Sequence, residues 1–193
     1  MQVTPLNDQQ LISRYLEGDE RAFETLLNRH QQKIYTSIYL FVKDQSLAED
    51  IFQEVFIKII DTLRKGKYNH EGKFLQWAMR IAYNMCVDYF RRTKRRPQVS
   101  PTETFDIFDI LQVTDDNAEQ SIIRSQTHDK IRTLVDQLPP EQREVVILRH
   151  YADMSFKEIA KLTRVSINTA LGRMRYALIN IRKMVEEKEV ILQ

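Results

Sequence analysis

The chain has 193 residues, enough for one or two small domains, each with its own core. It carries 29 Lys/Arg and 27 Asp/Glu, a formal net charge of +2; the N-terminus MQVTPLNDQQ lacks the basic and apolar regions of a signal peptide, and no apolar run approaches the ~20 residues of a membrane span, so a cytoplasmic protein is expected. A single cysteine, Cys86, excludes an internal disulfide and a thiolate metal site, the four glycines form no phosphate-cradling loop, the four histidines are scattered, and neither cofactor, metal site nor enzymatic constellation is expected.

Few glycines and prolines among many Leu, Ile, Glu, Lys and Arg predict an all-α fold, and no alternating run predicts a strand. A first helix is expected from about Asp8 to Glu17, with Leu11, Ile12, Tyr15 and Leu16 on its apolar face. Asp19 can cap a second helix reaching about Val42, whose apolar set is Ala22, Phe23, Leu26, Leu27, Ile34, Ile38 and Phe41. Ser46, with Glu49 three residues on, reads as the capping box of a third. There Ala48, Ile51, Phe52, Val55, Phe56, Ile59, Ile60 and Leu63 cover roughly half the circumference. Asp50, Gln53, Glu54, Ile57 and Asp61 gather on the opposite arc, about 100° wide. An acidic stripe is commonly a solvated face, but an isoleucine ringed by acids also has the form of an interface anchor with a polar rim.

Residues 64–74, RKGKYNHEGKF, predict a basic loop with Tyr68 and Asn69 at its centre. A helix follows, FLQWAMRIAYNMCVDYFRRTKRR, and five of the six residues 91–96 are basic. Phe74, Trp77, Tyr83, Tyr89 and Phe90 are interleaved with Lys73, Arg80, Arg91 and Arg92. Rings and cations in this mixture suit single-stranded nucleic acid, because bases stack on rings for ~1–3 kcal/mol each while cations hold phosphates. Tyr83 and Phe90 are assigned to the core; Tyr68, beside Lys67, and Trp77 are the candidates for contact with bases.

Charge is segregated. Residues 1–97 hold 16 Lys/Arg and 12 Asp/Glu, residues 98–120 no Lys/Arg and 6 Asp/Glu, and residues 121–193 hold 13 and 9. The middle stretch, with Phe105, Ile107, Phe108, Ile110 and Leu111 embedded, reads as an acidic linker between helical domains 1–97 and 121–193. Such a stretch usually means a flexible solvated tether, but its apolar residues imply that it docks onto something part of the time. Two basic modules imply a partner that is negative at two places, which duplex DNA satisfies.

In the second module, Ser155 and Glu158 form a capping box, Thr163, Arg164 and Val165 a tight turn, and Ser166 the cap of a longer helix running at least to Lys183. Ala160 is small where the two helices must cross. This is the pattern of a helix-turn-helix, whose second helix enters a major groove. A helical hairpin inside a bundle has similar spacing, but gives no reason for the cationic side made by Arg173, Arg175, Arg182 and Lys183.

AEDIFQEVFIKI, FLQWAMRIAYNMCVDYFRR and LPPEQREVVILRHYADMSFKEIAKLTRVSINTALGRMRYAL, in this order around an acidic linker, resemble a bacterial sigma factor of the extracytoplasmic-function class, the minimal two-domain type of the sigma-70 family. The resemblance spans nearly the whole chain. It implies a transcription initiation factor that binds core RNA polymerase and directs it to promoters through −10 and −35 elements. Asp50, Gln53 and Glu54, and with them Ile57 and Asp61, would meet the clamp coiled coil of the largest polymerase subunit. The loop Lys65–Lys73 and the helix Phe74–Arg92 would recognise and melt the −10 element. Lys67, Tyr68, Asn69 and Lys73 would surround an extruded base, with Trp77 and Arg80 at the duplex edge. Asn84 and Asp88 fall where the family has polar residues, and Arg91 and Arg92 would hold DNA backbone. The linker would thread towards the active centre and RNA exit path. The second domain would read the −35 element with Ser166, Asn168, Thr169, Leu171, Gly172, Arg175 and Tyr176, while Lys157 and Arg173 touch phosphates. An anti-sigma factor covering a basic face is a partner consistent with this reading. The chain departs from the family at Arg164, where helix-turn-helix proteins often place Gly, and at Ala170 and Gly172 in the recognition helix, so promoter sequence does not carry over. The rival functions are a stand-alone helix-turn-helix regulator with a helical sensor domain, which needs neither the aromatic-basic loop nor the acidic linker, and a helical adaptor binding only protein, which leaves the two basic modules unexplained.

Overall fold

In the computed structural model, residues 5–69, 72–93 and 133–191 are described, and every regular element among them is helical. The helices with defined bounds are α1 (Asp8–Leu16), α2 (Glu20–Val42), α3 (Gln45–Arg64), α4 (Phe74–Thr93), α5 (Pro140–His150), α6 (Phe156–Thr163) and α7 (Ile167–Ile191). The linker 98–120, His70, Glu71 and the basic residues Lys94, Arg95 and Arg96 lie outside the described residues. The chain divides into two compact units, one built on residues 1–100 and one on the remainder apart from Tyr151–Asp153.

Local capping sets where the helices of the first unit begin. Asn7 caps α1 reciprocally with Gln10, both hydrogen bonds being 2.9 Å. Asp19 accepts from the Arg21 N–H at the start of α2, as expected. The start of α3 differs from expectation: Asp44, not Ser46, is the N-cap, accepting the Leu47 N–H at 2.9 Å, and Ser46 lies inside the first turn. Lys43 ends α2 in the left-handed region with φ 56°, so only two residues separate α2 from α3 and the acid takes the capping position.

α2 is the central helix and packs against α1, α3 and α4. Its Leu26, Ile34, Ile38 and Leu40 meet a core completed by Ile59 and Leu63 of α3 and Phe74 and Met79 of α4, all fully buried. Each such side chain contributes ~1.5–3 kcal/mol relative to exposure. Two residues assigned to the apolar side are in fact exposed: Leu16 at the end of α1, and Phe90, which is 40% exposed rather than core. Cys86 is the last buried residue of α4, so the helix continues beyond the core that would have covered Phe90. Burial pushes the Cys86 thiol up to about 12, consistent with a small core residue.

In the second unit, α5 buries four consecutive residues, Val145–Leu148, beneath α6 and α7. α6 offers Ile159 and Ala160, and α7 offers Ala170 and Ala177, both 0% exposed. Alanines two turns apart share one side of α7 and allow close helix approach. Ala170, a departure from the family pattern, is therefore a packing residue of the helix crossing.

Candidate nucleic-acid and polymerase interfaces

Three surfaces collect the predicted residues. The first is the outer face of α3. Asp50, Gln53, Glu54, Ile57 and Asp61 are all exposed there, while Ala48, Ile51, Val55, Phe56, Ile59 and Leu63 are buried on the opposite side. Ile57 is 63% exposed, the largest value for an aliphatic side chain among the described residues of the first unit. Asp61 pairs with Lys65 one turn on, at 3.3 Å. The helical phase read from the sequence is thus the phase observed.

The second surface is the end of α3, the following loop and the outer face of α4. Lys67, Asn69 and Lys73 are exposed; Tyr68 and Trp77 are half-buried. Tyr68 does not project alone from the loop: its ring centroid lies 4.4 Å from that of Trp77. On α4, Trp77, Arg80, Asn84, Asp88 and Arg91 follow helical spacing and share one arc of about 80°, away from the buried Ala78, Ala82 and Cys86. Arg91 is steadied by Asp88 at 2.8 Å. Arg92 is exposed but falls outside this arc. Aromatic pair, basic loop and polar-cationic arc together form a stacking surface beside a cationic track, the combination single-stranded nucleic acid requires.

The third surface belongs to α6 and α7. The Ser155 N–H donates to Glu158 Oε2 at 2.8 Å, and the Glu158 N–H donates back to Ser155 Oγ at 3.3 Å, the predicted capping box. Arg164 takes the left-handed conformation at φ 59° where Gly is the easier residue, and its N–H reaches the Ala160 carbonyl. Ser166 Oγ accepts the Thr169 N–H at 3.0 Å, opening α7. Lys157, Asn168, Leu171, Arg175 and Tyr176 are exposed; Asn168, Leu171, Gly172 and Arg175 occupy the arc opposite Ala170 and Ala177. Ser166 and Thr169 are exposed but engaged with each other, hydroxyl to hydroxyl, at 2.8 Å. Arg173 lies off the exposed arc, partly covered and paired with Glu144 of α5 at 3.4 Å. That pair, and the Asn180 to Gln142 hydrogen bond of 2.8 Å, join α7 to α5 across 29 and 38 residues, contacts that no local pattern announces.

Two family models match the chain, Sigma-70 region 2 over residues 26–96 and Sigma-70, region 4 over residues 128–175. The RNA polymerase sigma-H factor of Pseudomonas aeruginosa is 31% identical over 176 residues, 89% of this chain and 90% of that protein. The chain belongs to the sigma-70 family. The extracytoplasmic-function sigma-E factor of Haemophilus influenzae is 27% identical over 95% of each chain. Among solved structures, the sigma factor RpoE of Bartonella quintana, crystallised with the anti-sigma factor NepR, shares the fold with a TM-score of 0.62 at 15% identity, over 85% of this chain and 96% of that one. As a sigma-70 family member the chain is a transcription initiation factor that binds core RNA polymerase and promoter DNA, rather than a stand-alone regulator. Among the described residues no helix is long and apolar enough to cross a membrane.

Proposed function

We propose that the three surfaces divide the work of initiation in the cytoplasm. The outer face of α3, with Asp50, Gln53, Glu54, Ile57 and Asp61, binds the clamp coiled coil of polymerase. Lys67, Tyr68, Asn69, Lys73, Trp77, Arg80, Asn84, Arg91 and Arg92 recognise and open the −10 element. Asn168, Thr169, Leu171, Gly172, Arg175 and Tyr176 read the −35 element in the major groove, with Ser166 at the helix start and Lys157 and Arg173 near phosphates. Residues 1–97 and 121–193 act as the two domains, and 98–120 as the acidic strap between them. The observation carrying this reading is that the exposed arc of α7 contains Asn168, Leu171 and Arg175 within its first three turns, where base edges are reached. Arg173, tied to Glu144, contributes less freely than Arg175. An anti-sigma factor is a fitting regulator, since the Bartonella quintana relative was crystallised with one. The test is in vitro transcription: purified protein added to core polymerase should yield promoter-specific transcripts, and a Gly-Ser replacement of residues 66–72 should bind polymerase yet leave −10 thymines unreactive to permanganate. Persistent permanganate reactivity in that variant rules out the loop.

A further inference from the structure

Tyr68 and Trp77 are backed by a chain of contacts that reaches the first residue of α1. Phe74, the first residue of α4 and fully buried, has its ring 5.8 Å from Trp77 and 6.3 Å from Tyr68. It also meets the imidazole of His30 at 5.3 Å. His30 is a buried polar residue of α2, and its Nε2 lies 2.8 Å from Oδ2 of Asp8, the first residue of α1. Arg29 Nη1 holds the other Asp8 oxygen at 2.5 Å, and its Nη2 donates to the Leu6 carbonyl at 2.7 Å. Packing alone would be served at position 30 by an apolar side chain of similar size, without the cost of burying a polar ring. What the histidine adds is orientation, because the hydrogen bond to Asp8 fixes its tautomer and its ring. Burial lowers the His30 pKa, outweighing the opposing effect of Asp8, while Arg29 and Lys33 push it down further. At neutral pH the ring is uncharged, and Nε2–H donates to the Asp8 carboxylate.

We propose that Asp8 and His30 are positioning residues for promoter opening: they hold Phe74, and through it Trp77 and Tyr68, in the arrangement that receives the opened −10 strand. The first turn of α1 then belongs to the −10 site although it touches no DNA. This rests on the −10 reading above.

The protein contains one tryptophan, so intrinsic emission reports Trp77 directly. In the full chain, His30→Ala should make Trp77 more accessible to acrylamide. With core polymerase it should slow −10 opening about tenfold, since a small displacement of aligned groups has effects of that order, while affinity for core polymerase stays within about twofold. His30→Gln, which keeps an N–H for Asp8, should recover most of the opening. His30→Ala with the parent's emission and opening rate overturns the proposal. Equal losses of opening and core affinity also overturn it, because they mark a general loss of structure. Where His30→Ala does not fold, Asp8→Asn is judged by the same two readouts. Trp77→Ala separates this proposal from its premise: normal opening there removes the −10 reading itself, whereas a defect there beside a normal His30→Ala removes only the positioning role.

Discussion

Replacing Ile57 tests the α3 face most directly. With 63% of its surface in water, the side chain gives the free protein about a third of an isoleucine's burial energy and leaves the rest available to a partner. Full burial is worth ~1.5–3 kcal/mol, so the share left for an interface is ~1–2 kcal/mol. Ile57→Ala should therefore weaken core-polymerase binding roughly 5–30-fold. Ile57→Lys should be worse, since a partner surface complementary to Asp50, Glu54 and Asp61 is cationic and would face another cation. The assay is titration of fluorescently labelled protein with core polymerase, paired with thermal melting of the free protein. Both variants should melt close to the parent. Equal affinity for Ile57→Lys and parent would refute the assignment of this face. A large fall in melting temperature would instead show that Ile57 supports the core.

Arg175→Ala should cost ~1–3 kcal/mol of promoter binding and relax selectivity at one −35 position, measured by competition among duplexes with single base changes; uniform weakening across all duplexes would make Arg175 a phosphate contact. Gly172→Ala should raise thermal stability by ~1 kcal/mol, because a Cβ at this helical glycine meets nothing within 4 Å; a simultaneous loss of −35 affinity, read by fluorescence anisotropy, would mean that DNA itself fills the space. His30 titrates at lower pH in the folded chain than in the unfolded one, so the unfolded state binds more protons below about pH 6.5 and stability falls as pH drops from there towards the folded pKa. Urea unfolding of parent and His30→Gln across pH 7.5 to 5 should show a steeper fall in the parent, and parallel profiles would refute the linkage.

Local chemistry made much of the fold legible and long-range packing accounts for the rest. The ends of α2, α6 and α7 follow from Asp19, Ser155 and Ser166, each of which bonds a backbone N–H two or three residues away. At α3 two capping residues stood two positions apart, and the choice of Asp44 over Ser46 depended on the left-handed Lys43 that closes α2, a backbone state not written in composition. Phe90 reads as core because most aromatics of such a helix are core, and sequence alone does not show where a helix outruns its neighbours. Periodicity did place Ile57 outside, because eight apolar positions already filled the opposite half of α3. The Asp8–His30 hydrogen bond and the Glu144–Arg173 ion pair join residues more than twenty positions apart, where only folding brings the polar groups together.

The placement of opposite charges on one small unit has a mechanistic consequence. α3 and α4 pack against one another and both pack on α2. Each spends its apolar side on that shared core, so the acidic arc of α3 and the cationic arc of α4 both point away from it. On the proposed assignment, a cationic protein surface and an anionic nucleic-acid strand bind the same unit at once, each repelled by the other's face. The near-zero net charge of the chain conceals this arrangement, since opposite charges cancel in the sum, whereas exposed charges more than about 8–10 Å apart are screened from one another. Acidic side chains on α3 weaken no DNA contact beyond that range. Exchanging Asp50 and Glu54 for lysine should accordingly abolish polymerase binding while changing single-stranded −10 oligonucleotide binding little; a large gain in oligonucleotide affinity would mean that the two faces lie within one screening length and that the strand passes over both.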